Sequence, residues 1–207
     1  MSKLIPRKIY AIWLTHTPEI PALIQRCLES QRKFCAEYGY EFQLVTIADI
    51  KEYSPRYVRE CIAAQKWAKA ADFLRVWYLY YHGGIYLDAD VEMIPGQTFE
   101  EMLGWEIFCG EEENNFASNA IIGAQPNHPL LLKFLDTVDR NFKGGGDLVF
   151  QPGMYLWTEF VKEAAFINPR IKIYPPEYFL PYNHHIDRLK VTENSRCIHH
   201  FNKSWID

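Results

Sequence analysis

The chain has 207 residues, 48% of them hydrophobic and 23% charged, which suits one folded domain and excludes a disordered or low-complexity chain. A formal net charge of −4 and a pI near 6.0 exclude the cationic surface that nucleic-acid binding demands, so no nucleic-acid partner is expected and a bound phosphate should arrive with a cation. Five scattered cysteines without CxxC spacing argue against a disulfide framework or a zinc knuckle. Residues 1–7 lack the apolar centre of a signal peptide and no run approaches the ~18 apolar residues of a membrane span, so a cytoplasmic location is expected, with any membrane association peripheral and at the inner face.

Residues 8–13 read as a first strand after Pro6, and residues 21–38 as a helix that brings Leu23, Cys27, Phe34 and Tyr38 near one face. Gly39 ends that helix and residues 41–46 alternate as a second strand, opening the chain with a βαβ unit. Residues 53–59 read as a polar connector. Residues 63–81 then repeat apolar side chains at 67, 70, 74, 77, 78 and 81, close to the helical period. Gly83 and Gly84 stop this helix, and Ile85-Tyr86-Leu87 is a buried strand running into Asp88-Ala89-Asp90. Strands over 106–109, 120–123 and 171–174, helices over 130–141 and 154–164, and a loop at Gly144-Gly145-Gly146 follow. The alternation predicts one α/β domain spanning residues 1–207, with a mixed central sheet and ligands beyond the carboxyl ends of its strands.

Asp88 and Asp90, one residue apart at a strand end, can reach a single site, and carboxylate oxygens suit hard cations such as Mn²⁺ or Mg²⁺. Two carboxylates leave an octahedral shell unfilled, so diphosphate oxygens of a nucleotide are natural further ligands. For an isolated Asp-x-Asp the alternative is a solvated turn whose exposed carboxylates contribute little to stability.

The flanking sequence bears on that choice. Ala71-Asp72-Phe73-Leu74-Arg75 and Tyr81-His82-Gly83-Gly84-Ile85-Tyr86-Leu87-Asp88-Ala89-Asp90-Val91 resemble the sugar-binding region of glycosyltransferase family 32. Ile5 to Trp13 is similar to that family's first strand, Ser118 to Ala124 with His128-Pro129-Leu130 to its central segment, and His199 to Trp205 to its closing His…Ser-Trp segment. The matches run in order from one end of the chain to the other, which is more specific than any single motif.

The resemblance implies a GT-A-type, Rossmann-like nucleotide-diphospho-sugar transferase fold and a retaining transfer of a hexose. The donor would be a UDP- or GDP-linked sugar and the acceptor a saccharide or lipid-linked saccharide. It implies a catalytic set of Asp88, Asp90 and Arg75, and metal ligation by Asp88, Asp90 and His199. It places Ile12, Trp13, Asp72, Arg75, Asp88, Asn119, Ser204 and Trp205 at the donor. From spacing alone Asp72 and Arg75 also read as a surface i,i+3 ion pair. Adjacent His199 and His200 on an extended segment point to opposite sides, so only one reaches a given metal. Residues 197–207 are expected to form a mobile lid over the donor.

Two rival readings stand beside this one. A haloacid-dehalogenase-type phosphohydrolase also ends an apolar strand in Asp-x-Asp, but places a small or β-branched residue where this chain has Glu92. A non-catalytic nucleotide-sugar binder would keep the pocket and have no need of the acidic pair.

Overall fold

A computed structural model describes residues 4–17, 19–51, 54–112, 115–143 and 152–202. In chain order the strands and helices are β1 (Lys8–Ile12), α1 (Ala22–Tyr38), β2 (Glu41–Val45), α2 (Arg56–Ala63), α3 (Trp67–His82), β3 (Gly84–Leu87), β4 (Val91–Met93), β5 (Ile107–Glu111), β6 (Ala117–Ala124), α4 (Pro129–Asn141), α5 (Met154–Ile167), β7 (Ile171–Tyr174), β8 (Tyr182–Asn183), β9 (Arg188–Leu189) and β10 (Cys197–His199). Short 3-10 turns fall between several of them.

Six strands form the main sheet in the order β2-β1-β3-β6-β5-β7. β1 is parallel to both β2 and β3, β6 is antiparallel to β3 and β5, and β7 is parallel to β5. The sheet is therefore mixed, as expected. The chain leaves β1 for β2 on one side and returns to β3 on the other, which makes a crevice at the carboxyl ends of β1 and β3. Gly84 lets β3 start hard against β1: its φ is +114°, and a Cβ there would stand 2.6 Å from the Lys8 carbonyl oxygen.

Period-2 alternation sends the two sides of each strand into different cores. Tyr10, Ile12, Tyr86, Ile122 and Cys109 pack with α2, α3, α4 and α5 on one face. Ile9, Ile85, Leu87, Phe108 and Ile121 pack on the other with Phe34 and Cys35 of α1 and with the 99–103 turn. A two-stranded β4–β10 ribbon covers this second face at the site end.

Several boundaries differ from expectation for identifiable reasons. Part of the supposed connector is α2, whose Tyr57, Val58 and Cys61 bury against α3, a face too short to stand out in the sequence. In α3 the buried set is Ala70, Phe73, Leu74, Arg75, Val76 and Leu79, while Tyr81 of the expected stripe is 53% exposed. The helix is enclosed by the sheet, α2 and α4, so its burial exceeds one stripe. The helix predicted over 154–164 continues to Ile167. Among the described residues no helix is long and apolar enough to cross a membrane.

Candidate active site

Asp88 follows β3 directly, and its amide still donates to the Ala120 carbonyl (2.8 Å), extending the β3–β6 ladder by one residue. The chain then turns sharply, with the Val91 amide on the Asp88 carbonyl at 3.0 Å. Gln31, fully buried on α1, clamps this turn by donating Nε2 to the carbonyls of Asp88 (3.0 Å) and Val91 (2.8 Å). The Asp-x-Asp turn is thus tied to the sheet on one side and to α1 on the other.

The turn carboxylates are not solvated. Asp90 is 3% exposed, and its Oδ2 accepts the Asn202 amide at 2.7 Å. The expected exposed loop carboxylate is corrected here: the residues that bury Asp90 come from the far end of the chain. His199 Nε2 stands 3.3 Å from Asp90 Oδ1 and 3.7 Å from Asp88 Oδ2. Both His199 ring nitrogens are buried and lack a hydrogen-bond partner among the described residues. Ligand atoms of Asp88, Asp90 and His199 all lie within 4.8 Å of one another.

Arg75 of α3 is the hub behind Asp88. Its Nη1 donates to the Asn119 carbonyl (2.6 Å) and lies 3.3 Å from Asp88 Oδ1, its Nη2 lies 3.0 Å from Asp72 Oδ1, and the guanidinium sits 4.7 Å from the Tyr86 ring centre. The Asn119 side chain donates to Asp72 Oδ1 at 3.0 Å, and the Tyr86 hydroxyl donates to Asp88 Oδ1 at 2.5 Å. Asp72 and Arg75 are therefore a buried pair and not a surface one. Asp88 is held by Oδ1 and leaves Oδ2 toward His199.

The electrostatics follow from this packing. Burial pushes Asp88 above the usual carboxylate range, with Arg75 opposing and Asp90 adding to the rise. Burial likewise lifts Asp72, again against Arg75. Asp90 is different: burial would raise it, yet the His199 charge and the Asn202 amide hold it below the usual range. Burial would depress His199, but Asp90 and Asp88 keep it above the ordinary imidazole value.

Ile12 is buried at the end of β1, and Trp13 follows it, donating its amide to Val45 at 2.9 Å and packing on Ala11, Ile24, Leu28 and Ala89. The Trp13 indole N–H is buried without a partner among the described residues. Asp72, Arg75, Asn119, Asp88, Asp90 and His199 are thus linked by direct contacts, Trp13 packs in one cluster with Ala89 of the same turn, and Ile12 is packed into the core at the end of β1. Ser204 and Trp205 lie outside the described residues. The first part of the supposed lid is docked, because β10 pairs antiparallel with β4, His199 facing Val91.

Beyond Phe201, whose ring centre lies 4.1 Å from that of His199 and 4.2 Å from that of His184 in tilted contacts, opens a cavity of about 580 Å³. Tyr155, Tyr182, His184 and Leu180 wall it, with Glu112, Glu177 and Lys190 as charged groups.

Two of these structural residues had a sequence signal that went unused. Tyr86 and Asp88 are i and i+2 on a strand and so share a face. Gln31 interrupts the buried stripe of Ile24, Cys27, Leu28, Phe34 and Cys35 on α1.

The fold and geometry can be set beside known proteins. An uncharacterised glycosyltransferase of Acanthamoeba polyphaga mimivirus is 26% identical over 196 residues, 89% of this chain and 76% of that protein. Inositol phosphoceramide mannosyltransferase 3 of Schizosaccharomyces pombe is 28% identical over 145 residues, 67% of this chain but only 38% of its own length. Among solved structures, the PaToxG glycosyltransferase superposes with a TM-score of 0.57 at 20% identity, covering 77% of this chain and 70% of that one, which shows a shared GT-A-like fold. These matches agree with the resemblance to glycosyltransferase family 32 and do not favour the phosphohydrolase or the non-catalytic reading. The model of the capsular polysaccharide synthesis protein family matches residues 2–143, so the chain belongs to that family and is a glycosyltransferase.

Proposed function

We propose that the chain transfers a hexose from a UDP- or GDP-linked sugar to a saccharide or lipid-linked saccharide acceptor, with Mn²⁺ or Mg²⁺ held by Asp88, Asp90 and His199. Residues 1–207 act in this reading as one catalytic domain. The observation that carries it is a buried histidine whose Nε2 faces Asp90 Oδ1 at 3.3 Å and Asp88 Oδ2 at 3.7 Å, just beyond the carboxyl end of β3. One imidazole nitrogen and two carboxylate oxygens converging on a buried point are a donor set that a divalent cation takes. A nitrogen among the ligands favours Mn²⁺ over Mg²⁺, since Mg²⁺ prefers oxygen ligands throughout. When bound, the cation supplies positive charge against the diphosphate as the nucleoside diphosphate departs.

The chain's own residues then divide the remaining work. Arg75 fixes Asp88 through Oδ1 and adds positive charge behind the diphosphate site. Asp72 and Asn119 bind sugar hydroxyls, while Ile12 and Trp13 meet the base. Ser204 and Trp205 reach the diphosphate. Retention at the anomeric carbon rests on the family 32 resemblance, and no nucleophile is assigned.

The cavity beyond Phe201 suits a saccharide acceptor, since rings such as Tyr155, Tyr182 and Phe201 line it together with the carboxylates Glu112 and Glu177, which can accept from hydroxyls. Beside it, Ile186, Leu189 and Val191 are 64%, 52% and 48% exposed on and around the β8–β9 hairpin, next to Arg188 and Lys190 and to one anion, Asp187, which accepts from the Tyr182 hydroxyl. Apolar side chains interleaved with cations suit an anionic membrane surface, which would bring a lipid-linked acceptor to the cavity from the inner face of the membrane.

A thermal-shift and donor-hydrolysis screen over UDP- and GDP-sugars with Mn²⁺ and Mg²⁺ tests the proposal. One donor should stabilise the fold and hydrolyse slowly only with a cation, and Asp90→Asn should abolish both effects. Wild-type turnover by Asp90→Asn, or no response to any donor with Mn²⁺, refutes it.

A further inference from the structure

The alternation that turns His199 toward Asp88 and Asp90 turns the next residue to the opposite side of the ribbon. In the β4–β10 register Ile198 stands opposite Glu92, so His200 shares a face with Glu92, and their Nε2 and Oε2 atoms meet at 2.8 Å. A third group completes this face from α1. The Cys27 thiol is fully buried, free, and engaged in no side-chain hydrogen bond among the described residues. Ligand atoms of Cys27, Glu92 and His200 all lie within 4.8 Å of one another. The Glu92 and His200 side chains are 29% and 22% exposed, so solvent reaches the cluster from one side.

We infer that Cys27, Glu92 and His200 form a second cation site, separate from the Asp88–Asp90–His199 group, that takes a zinc-class ion and ties α1 to the β4–β10 ribbon. The ligand chemistry decides the ion. One thiolate, one imidazole and one carboxylate match Zn²⁺ or Co²⁺, whereas Mg²⁺ has little use for sulfur. Ligand atoms around a tetrahedral zinc stand about 3.3–3.8 Å apart, so closure requires side-chain movement of about 1 Å. Three protein ligands leave the fourth position to water.

The neighbouring charges fit an exchangeable occupant. Arg26, whose side chain is 60% exposed, now lies 3.3 Å from Glu92 and can swing into solvent when a divalent ion takes its place. Burial, Glu92 and Asp90 together push the Cys27 thiol up to about 12, with Arg26 opposing, so the site without a cation holds a neutral thiol. A bound dication reverses that balance, and the thiol proton leaves to solvent as the sulfur–metal bond forms. Because Glu92 and His200 directly adjoin Val91 and His199, occupancy would stiffen the ribbon that presents Asp90 and His199 to the other side.

The inference does not depend on the transfer reaction, and its test reads the thiolate. Titrating the metal-free chain with Co²⁺ should produce a thiolate-to-cobalt charge-transfer band in the near ultraviolet, which Zn²⁺ then displaces. Cys27→Ser should abolish the band, and Glu92→Gln and His200→Asn should each weaken Co²⁺ binding at least tenfold, about the loss seen when a metal-site partner is removed. Asp88→Asn should keep the band, which separates this site from the carboxylate pair. Should Cys27→Ser fail to fold, the two partly exposed variants carry the test. Absence of a band in the wild-type chain, its persistence in Cys27→Ser, or unchanged Co²⁺ affinity in both other variants overturns the site.

Discussion

Replacing Arg75 by methionine tests the central claim about the site, that a buried guanidinium holds Asp88 in place. The side chain is 7% exposed and within reach of the Asn119 carbonyl at 2.6 Å, Asp72 at 3.0 Å and Asp88 at 3.3 Å. Methionine fills similar volume but leaves two carboxylates buried without their cation. Removing one partner from a buried ion pair costs about 3–5 kcal/mol. At about 2–4 °C per kcal/mol for a chain of this size, Tm should fall by roughly 6–20 °C. The pH dependence gives a second signature. Asp72 is raised by burial, and Arg75 is the main force opposing that rise, so its loss lifts Asp72 further. A carboxyl whose folded pKa exceeds its unfolded value makes the folded state bind protons more tightly, so stability rises as pH falls. The deficit against wild type should therefore be greatest at neutral pH, narrow on acidification, and be smallest below the unfolded value of about 3.9. Differential scanning calorimetry of the metal-free chain across pH measures both effects, with Arg75→Lys expected to lie between the two because it keeps charge without the planar fork. An Arg75→Met Tm within about 2 °C of wild type at neutral pH, a shift worth no more than ~1 kcal/mol, would refute the hub.

Three further outcomes follow. Tyr86→Phe removes the hydroxyl that donates to Asp88 Oδ1 at 2.5 Å and should cost about 1–3 kcal/mol; if Asp88 is a ligand it should also weaken Mn²⁺ binding about 10–100-fold by calorimetric titration, whereas unchanged affinity would detach the phenol from the site. Gly123→Ala would set a Cβ 2.0 Å from Cε1 of the Phe108 ring, itself packed between Phe99 and Phe179, so urea unfolding should show a loss of at least about 1–3 kcal/mol; undiminished stability would mean that the ring has room to move. Replacing Ile186 and Leu189 together by aspartate should reduce binding to anionic vesicles more than tenfold, given about 1.5–3 kcal/mol per buried aliphatic side chain, while leaving donor-induced thermal shifts intact. Equal vesicle binding by the double variant and wild type would remove the membrane contact from the proposal.

Local pattern was enough to read much of this chain. Strand alternation, helical period and paired glycines gave β1, α1, β2, α3 and β3 to within a few residues, because each is set by interactions a few positions apart. The same local logic put Asp88 and Asp90 at a strand end and required His199 and His200 to diverge. The family resemblance added residues remote in sequence, and among them Asp72, Arg75, Asn119 and His199 come into contact with one another or with the Asp88–Asp90 turn. What local pattern could not supply was environment. Asp90 looked like a solvated turn, yet it is buried under residues 199–202, more than one hundred positions away. Asp72 and Arg75 had the spacing of a surface pair, and only the enclosure of α3 by sheet and helices made them a buried hub. Gln31 acquires its clamp and Cys27 its neighbours solely because α1 packs over the β4–β10 ribbon. Hydrogen-bonding periodicity is a short-range property of the backbone and is written in the sequence, whereas burial and charge proximity depend on which distant segments share a surface, and that is decided only when the sheet closes its order and the last strand docks.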